Sequence, residues 1–357
     1  MIILNSFLTY FEDDQMPFLR AFEFYFACEL RDKEGIRVFG TGGNILGTLI
    51  KLMGSFRHLE ELRLENLLLD GFDAEHLLDN IYESCGSSIM RLSIINCTKF
   101  HHFFMHCGLF LNLRYLTVSP NHLHYDLVYL VSELRYLLEF HIVQTKFTTN
   151  GRLLDHNDWR PLRNGRRFVK VFLEAAGKTK DEILWQQHAP VFAVAYYTPY
   201  SRLSLLSALE IVKNYGDSVY AYCQFGLPRF PYKRSRPMNE RCDSLLLLLV
   251  RTCINLSHIV IHELISMATL LLIAHQTKGR LRTIFVRKNA LLKKHAWRNG
   301  EDQVKLTADM QEVLTNASNY QSFVKEMNVL LGCPLNNWRP LTDKEFKELS
   351  FDSLNKK

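Results

Sequence analysis

The chain has 357 residues, of which 47% are hydrophobic, and a formal net charge of +6. It is long enough to bury a large core without disulfides, so the eight cysteines predict reduced thiols in a cytoplasmic or nuclear protein. The weak positive charge does not indicate nucleic-acid binding, and the first residues lack the pattern of a signal peptide, so none is expected. Polar residues interrupt the most apolar stretch, so no membrane segment is expected either.

A short apolar motif, L-x-x-L-x-L-x-x-L or a variant of it, recurs along the chain. It occurs as LEELRLENL from residue 59 and then as IMRLSIINC, LRYLTVSPN and LLEFHIVQT, the last three about 24 residues apart. Further copies are FVKVFLEAA, LSHIVIHEL and LRTIFVRKN, from residues 168, 256 and 281. Such spacing is typical of leucine-rich repeats, in which each unit supplies one short strand. Because side chains alternate along a strand, the central motif positions are predicted to point into the core: Leu62, Leu64, Leu92, Ile94, Leu116, Val118, Phe140, Ile142, Ile259, Ile261, Ile284 and Val286.

Helix-like segments lie between the motifs, at residues 74–85, 126–138 and 204–216. Each is apolar on one face, and the third ends at Gly216. Repeated alternation of strand and helix predicts an α/β fold, specifically a leucine-rich-repeat solenoid with a parallel sheet on its concave face and helices outside. An irregular α/β domain with chance leucine spacing is the alternative interpretation.

The end of the chain follows a different pattern. Apolar residues recur at helical intervals from 310 to 331, Gly332 and Pro334 then stop the run, and Thr342 with Glu345 predicts a capping box. We therefore expect a solenoid with irregular insertions over residues 1–298 and a C-terminal helical cap and tail over residues 299–357.

One segment has the composition of a metal site. In HHFFMHC, His102 and His106 are four residues apart, with Cys107 and Cys97 nearby. Zinc requires four convergent ligands, and the spacing indicates only some of them, so a segment between repeats without metal is the favoured interpretation. Cys97, Asn121 and Asn289 occupy the last motif position, where an inward side chain is expected to satisfy backbone groups of the turn. The sequence predicts no cofactor.

Two basic segments stand out, residues 160–170 and 229–241. The second is interleaved with proline and aromatic residues, which is typical of an exposed loop. Paired arginines could hold an acidic or phosphorylated peptide, and a solvated loop is the alternative.

The side chains that alternate with the core positions should form an exposed stripe. Aromatic residues and arginines dominate interface energetics, so we predict a partner-binding concave face. Its expected residues are Arg63, Tyr115, His141, Phe172, His262, Phe285 and Arg287. The alternative is that the C-terminal cap or an insertion covers part of this stripe.

The irregular L-x-x-L-x-L-x-x-[NC] units with variable insertions, from about Leu19 to Asn289, resemble the leucine-rich-repeat part of an F-box protein. Such proteins are substrate receptors of cullin-RING ubiquitin ligases, and the resemblance implies that this chain delivers an unknown protein substrate for ubiquitination. Their F-box, a short helical segment with a Leu-Pro start, precedes the repeats and docks on the Skp1 adaptor. Here Met1 is followed almost at once by the first candidate strand, so a Skp1-type adaptor and a cullin are expected as partners only if an F-box exists upstream.

Two classes of function remain open. One is a substrate-binding module of a ubiquitin ligase, and the other is a stand-alone leucine-rich-repeat scaffold or inhibitor with no link to ubiquitin. No catalytic signature is legible in the sequence, and we do not expect an enzyme.

Overall fold

The computed structural model describes residues 18–26, 29–31, 37–39, 44–148, 151–165, 167–229, 241–277, 279–293, 312, 315–332, 338–351 and 354. The chain divides into two compact units. Unit 1 consists of Met1–Leu173 and Leu184–Pro190, and unit 2 of Glu174–Ile183 and Val191–Lys357. The predicted boundary at residue 298 stays a prediction.

Unit 1 contains short strands that alternate with helices. Its strands are β1 (Ala21–Tyr25), β2 (Glu29–Arg31), β3 (Arg37–Phe39), β4 (Glu61–Glu65), β5 (Arg91–Ile95), β6 (Tyr115–Val118), β7 (Glu139–Gln144) and the first part of β8 (Lys170–Ala176). Its helices are α1 (Asn44–Gly54), α2 (Gly71–Cys85), α3 (Tyr125–Glu133) and α4 (Arg160–Asn164), with 3₁₀ turns at Met105–Gly108 and Pro120–His122.

The repeat motifs form the parallel strands of unit 1. Strands β1, β4, β5, β6 and β7 are hydrogen-bonded neighbours in this order, and each pair is parallel. The predicted core residues of β4–β7 are aligned in two rows across these strands, and all of them are buried. The rows are Leu62, Leu92, Leu116 and Phe140, and Leu64, Ile94, Val118 and Ile142. The α/β class and the inward register are therefore confirmed here, as the alternation of side chains along a strand requires.

The helices of unit 1 cover that apolar face. The sequence predicts one apolar face for residues 74–85, with Leu77, Leu78, Ile81 and Tyr82 on it. In α2 the first three are buried, whereas Tyr82 lies at the surface and packs edge-on against Phe110 with ring centroids 5.8 Å apart. Helix α3 ends at Glu133, five residues before the predicted end, because the next residue is extended rather than helical.

Asparagines stabilise the turns that follow β4 and β5. Asn66 and Asn96 adopt left-handed φ angles of 60° and 47°, which asparagine tolerates better than most residues. The amide of Asn96 donates to Asn66 Oδ1 and to Thr145 Oγ1, both at 2.8 Å. Asn66 lies two residues after Leu64, and Asn96 lies two residues after Ile94. Both therefore come one residue before the last motif position, where the sequence led us to expect the inward polar side chain. This asparagine ladder, formed by Asn66 and Asn96, joins the ends of the neighbouring strands β4 and β5, and the bond to Thr145 extends it to the residue that follows β7.

The prediction for the last motif position, held by Cys97, Asn121 and Asn289, is confirmed only in part. Cys97 and Asn121 are buried, but the backbone N–H of Cys97 is satisfied by His122 Nε2 at 3.1 Å. The side-chain amide of Asn121 makes no hydrogen bond among the described residues, so its expected role in the turn is wrong. The prediction is wrong for Asn289, which is exposed and donates to Asp343 Oδ2 at 3.1 Å. The reason is that the chain enters a 3₁₀ turn at Lys288–Ala290.

Unit 2 contains the remainder of β8, then β9 (Val191–Tyr197), β10 (Ala221–Gln224), β11 (His258–Ile261), β12 (Ile265–Ser266), β13 (Thr283–Val286) and β14 (Leu291–Leu292). Its helices are α5 (Leu205–Tyr215), α6 (Asp243–Thr252), α7 (Met267–Thr277), α8 (Tyr320–Leu330) and α9 (Asp343–Lys347). Strands β9, β10, β11 and β13 are parallel neighbours in this order, and the four predicted core residues of β11 and β13 are buried.

The C-terminal residues pack along β13. Leu341 N–H donates to Val286 O at 2.8 Å, and the indole N–H of Trp338 donates to Ile284 O at 2.9 Å. Helix α8 is followed by Gly332 with a φ of 63°, and the Thr342–Glu345 capping box begins α9 as predicted. None of the helices in the described ranges is long and apolar enough to cross a bilayer.

Candidate protein-binding face

The outward side chains of β4–β7, together with Lys170, form a surface of unit 1 that we call the strand face. Its first row consists of Glu61, Arg91, Tyr115 and Glu139, which are Cα partners on successive strands. Arg91 lies 3.6 Å from Glu61 Oε1, and its guanidinium carbon lies 4.1 Å from the centroid of the Tyr115 ring. An arginine over a tyrosine face is a favourable cation–π contact that holds both side chains in place.

The carboxylate of Glu139 organises the far end of this row. It lies 3.7 Å from Lys170 Nζ and 3.3 Å from His141 Nε2. Burial raises the pKa of Glu139, but the hydrogen bond from His141 and the charges of His141, Lys170 and Arg91 together bring that pKa below its ordinary value. Glu139 is therefore a stable anion among cationic neighbours.

The second row begins with Arg63, which is exposed as predicted and donates to Glu65 Oε2 at 2.7 Å. Farther along the row, His141 is half-buried and stacks on Phe172, with ring centroids 4.2 Å apart and an interplanar angle of 6°. The expectation that Phe172 is exposed is wrong, since its side chain is 0% exposed. Stacking on His141 covers one face of the ring, so Phe172 supports His141 rather than offering its own ring to a partner.

The accessible part of the strand face is narrower than the sequence suggested. Tyr115 and Thr117 are half-buried and reachable from solvent, whereas Ser93, Ile95 and Val143, which also alternate with core positions, are buried. Access is therefore greatest at the first row.

In unit 2 the predicted binding residues have structural roles. His262 is 0% exposed, and its ring nitrogens lie 3.1 Å from Ser201 O and 3.3 Å from Gly226 O. Arg287 is buried too, 3.0 Å from Asp343 Oδ1 at the start of α9, and donates to His262 O at 3.3 Å. The expectation of exposure is wrong for both, because C-terminal residues and a distant loop cover them. Phe285 is half-buried.

The histidines of the HHFFMHC segment bind helix α2 through carboxylates. His102 lies 3.1 Å from Glu75, and His106 lies 2.8 Å from Asp79. Burial raises the pKa of the neighbouring thiols Cys97 and Cys107 to about 12. Within the described ranges, no three His, Cys, Asp or Glu side chains are placed to hold a metal ion together.

Comparisons with known proteins leave the family of this chain open. No family model matches the sequence, and no curated protein matches it. Among solved structures, the chain is similar to a protein in the crystal structure of the yeast Rad7 and Elc1 complex, with a TM-score of 0.35 and 12% identity. That similarity covers 71% of this chain and 70% of the other.

Proposed function

We propose that this protein is a leucine-rich-repeat module of the solenoid type that binds a partner protein through the strand face of unit 1. The observation that supports the proposal is the Arg91–Tyr115 pair, an exposed arginine held over a half-exposed tyrosine in the middle of a row of charges. Arginine and tyrosine are enriched among the residues that contribute most to binding energy, and pre-positioned side chains lose little entropy on binding. The role is binding rather than catalysis.

Crosslinking at the strand face tests this proposal. A photo-reactive phenylalanine analogue at Thr117, whose side chain shares the face with Tyr115, should crosslink a defined protein that mass spectrometry identifies. Arg91→Ala and Tyr115→Ala should each weaken binding of that protein by about 2 kcal/mol or more, a loss of roughly thirtyfold in affinity.

Arg57→Ala is the matched control, because Arg57 is also exposed in unit 1 but lies outside the strand face. It should leave binding unchanged. Equal affinity of all three variants, with far-UV circular dichroism showing intact folding, would place the binding site elsewhere.

We further propose that the bound protein is delivered to a ubiquitin ligase in the cytoplasm or nucleus. The irregular repeat pattern and its resemblance to F-box substrate receptors support this step. Where the crosslinked partner is co-expressed with the chain, we expect its ubiquitination to rise and its half-life to shorten, and Arg91→Ala should abolish both effects. Partner binding without any change in ubiquitination would instead indicate a scaffold or inhibitor.

A further inference from the structure

A cleft of about 930 Å³ lies between helices α3 and α4 of unit 1. Tyr129, Ser132 and Glu133 line it from α3, and Arg160, Asn164 and Arg167 line it from α4 and the residues that follow. Its volume is in the upper part of the range of about 300–1,000 Å³ that is typical of pockets for drug-sized ligands. The cleft is therefore large enough for several residues of a peptide.

The two arginines of the cleft have cationic groups available to a ligand. Arg160 and Arg167 are both exposed, and in the part of the chain that the structure describes neither side chain makes an ion pair or a hydrogen bond. Arg163 of the same segment differs, since its guanidinium donates to His188 O at 2.9 Å and to His156 O at 2.6 Å. Among the arginines of this basic segment that the structure describes, Arg163 is structural, whereas Arg160 and Arg167 face solvent at the cleft.

Nearby acidic groups do not neutralise these arginines. Asp155 Oδ1 accepts from the backbone N–H of Asn157 at 2.8 Å, and Asp158 Oδ2 accepts from the backbone N–H of Asp155 at 2.9 Å. Both carboxylates are therefore engaged with the turn before α4. Among the described residues that line the cleft, Glu133 is the one acidic side chain, and it faces the two cationic side chains of Arg160 and Arg167.

The cleft has firmly held walls. Trp159 and Leu162 anchor α4 in the core, and Val131 and Leu134 anchor the end of α3. Arg160 is the first residue of α4, and Arg167 lies two residues before the buried Val169. The planar guanidinium of arginine can form paired hydrogen bonds with carboxylate or phosphate groups at a low entropic cost. The exposed Tyr129 ring and the Asn164 amide add an apolar surface and hydrogen-bonding groups beside the two cations.

We propose that this cleft binds a short anionic peptide segment of a partner protein, with Arg160 and Arg167 as its charge-recognising residues. The site is separate from the strand face, so either one could fail its test without affecting the other. The anionic groups of the peptide are carboxylates or a phosphoryl group, which share the same chemistry toward arginine.

Fluorescence anisotropy with labelled hexapeptides and the full chain tests this site. The probes are hexaglutamate, hexaglutamine, and hexaglutamine with one phosphoserine replacing a glutamine. At least one anionic probe should bind, hexaglutamine should not, and the affinity should fall as salt rises. Arg160→Gln/Arg167→Gln should weaken binding by about tenfold or more, and Glu133→Gln should tighten it a few-fold.

Arg114→Gln is the matched control, because Arg114 is an exposed arginine of unit 1 that does not line the cleft. It should bind the probes as tightly as the unmodified chain. Preference for the phosphoserine probe or for hexaglutamate identifies the source of the anionic group, and both support the site. Three results would overturn the proposal: no binding of either anionic probe, equal binding by the double variant, or tighter binding of an oligonucleotide through the same arginines.

Discussion

Acidification from pH 6.5 to pH 4 should lower the free energy of unfolding by about 3 kcal/mol for each of two buried histidines, His122 and His262. Burial lowers the pKa of both imidazoles to about 4. The unfolded chain, with histidine pKa values near 6.5, takes up protons below that pH that the folded chain does not bind until about pH 4. Stability is thus fully present above pH 6.5 and is lost as the pH falls, by about 1.4 kcal/mol per pH unit for each histidine.

The hydrogen bonds of His122 require the neutral imidazole. Its Nε2 accepts the backbone N–H of Cys97 at 3.1 Å, and its Nδ1–H donates to His102 O at 2.7 Å. If Nε2 were protonated, its N–H would point at the backbone N–H of Cys97, and two donors would face each other in a buried site. For His262, burial outweighs the two nearby carbonyl oxygens, which favour the charged form, and the charge of Arg287 lowers the pKa further.

Urea denaturation at a series of pH values measures this effect. His122→Gln should reduce the pH dependence between pH 4 and 6.5 by about one proton. His58→Gln, which removes an exposed histidine of unit 1, should leave it unchanged. If the two units unfold in separate transitions, the pH dependence of unit 1 should reflect His122, and that of unit 2 should reflect His262 together with His258, whose pKa burial also lowers to about 4. A free energy of unfolding that stays constant over this pH range would contradict the prediction.

The core of each repeat could be predicted because it depends on local pattern. In LEELRLENL the leucines alternate with charged residues, and that alternation alone fixes which side of β4 is buried. The asparagine ladder was missed although its signal was present. In both repeats an asparagine, Asn66 or Asn96, stands two residues after the strand's second predicted core residue. Its left-handed backbone turns this side chain inward one residue earlier than the motif predicts.

The candidate site could be predicted only in part, because exposure depends on contacts with distant residues. Arg63 and Tyr115 face solvent as strand alternation indicates. Arg287, by contrast, is covered through Asp343, which lies 56 residues away in the sequence. Composition likewise identified the arginines of residues 160–170 but could not show which of them form hydrogen bonds within the protein. In the second basic segment, Arg229 is exposed, whereas Lys233, Arg234 and Arg236 lie outside the described residues.

Arg241 of that second segment is buried in an ion pair with Asp243, so its expected exposure is wrong. Its Nε lies 2.8 Å from Asp243 Oδ2, and the two side chains are 4% and 0% exposed. Asp243 Oδ1 also accepts from the Ser266 backbone N–H at 3.1 Å and from Thr269 Oγ1 at 2.6 Å. One carboxylate therefore joins the start of α6 to β12 and to the first turn of α7.

Removing this carboxylate should be among the most damaging single substitutions in the chain. Asp243→Ala leaves the buried Arg241 guanidinium without its counter-ion and removes the acceptor for Ser266 and Thr269, so we expect a loss of about 3–5 kcal/mol. Arg241 Nη2 already has no hydrogen-bond partner among the described residues, which increases its dependence on Asp243.

A double variant separates the cost of an unpaired charge from the value of the pair. Arg241→Met/Asp243→Asn leaves no buried charge and retains an acceptor oxygen for Ser266 and Thr269, so it should be less destabilising than Asp243→Ala alone. The control is Glu348→Ala, which removes an exposed acidic side chain of the same unit and should change the free energy of unfolding by about 0.5 kcal/mol or less. A loss below about 1 kcal/mol for Asp243→Ala in urea denaturation would show that water or a rearranged loop solvates Arg241, and that the ion pair does not hold these elements together.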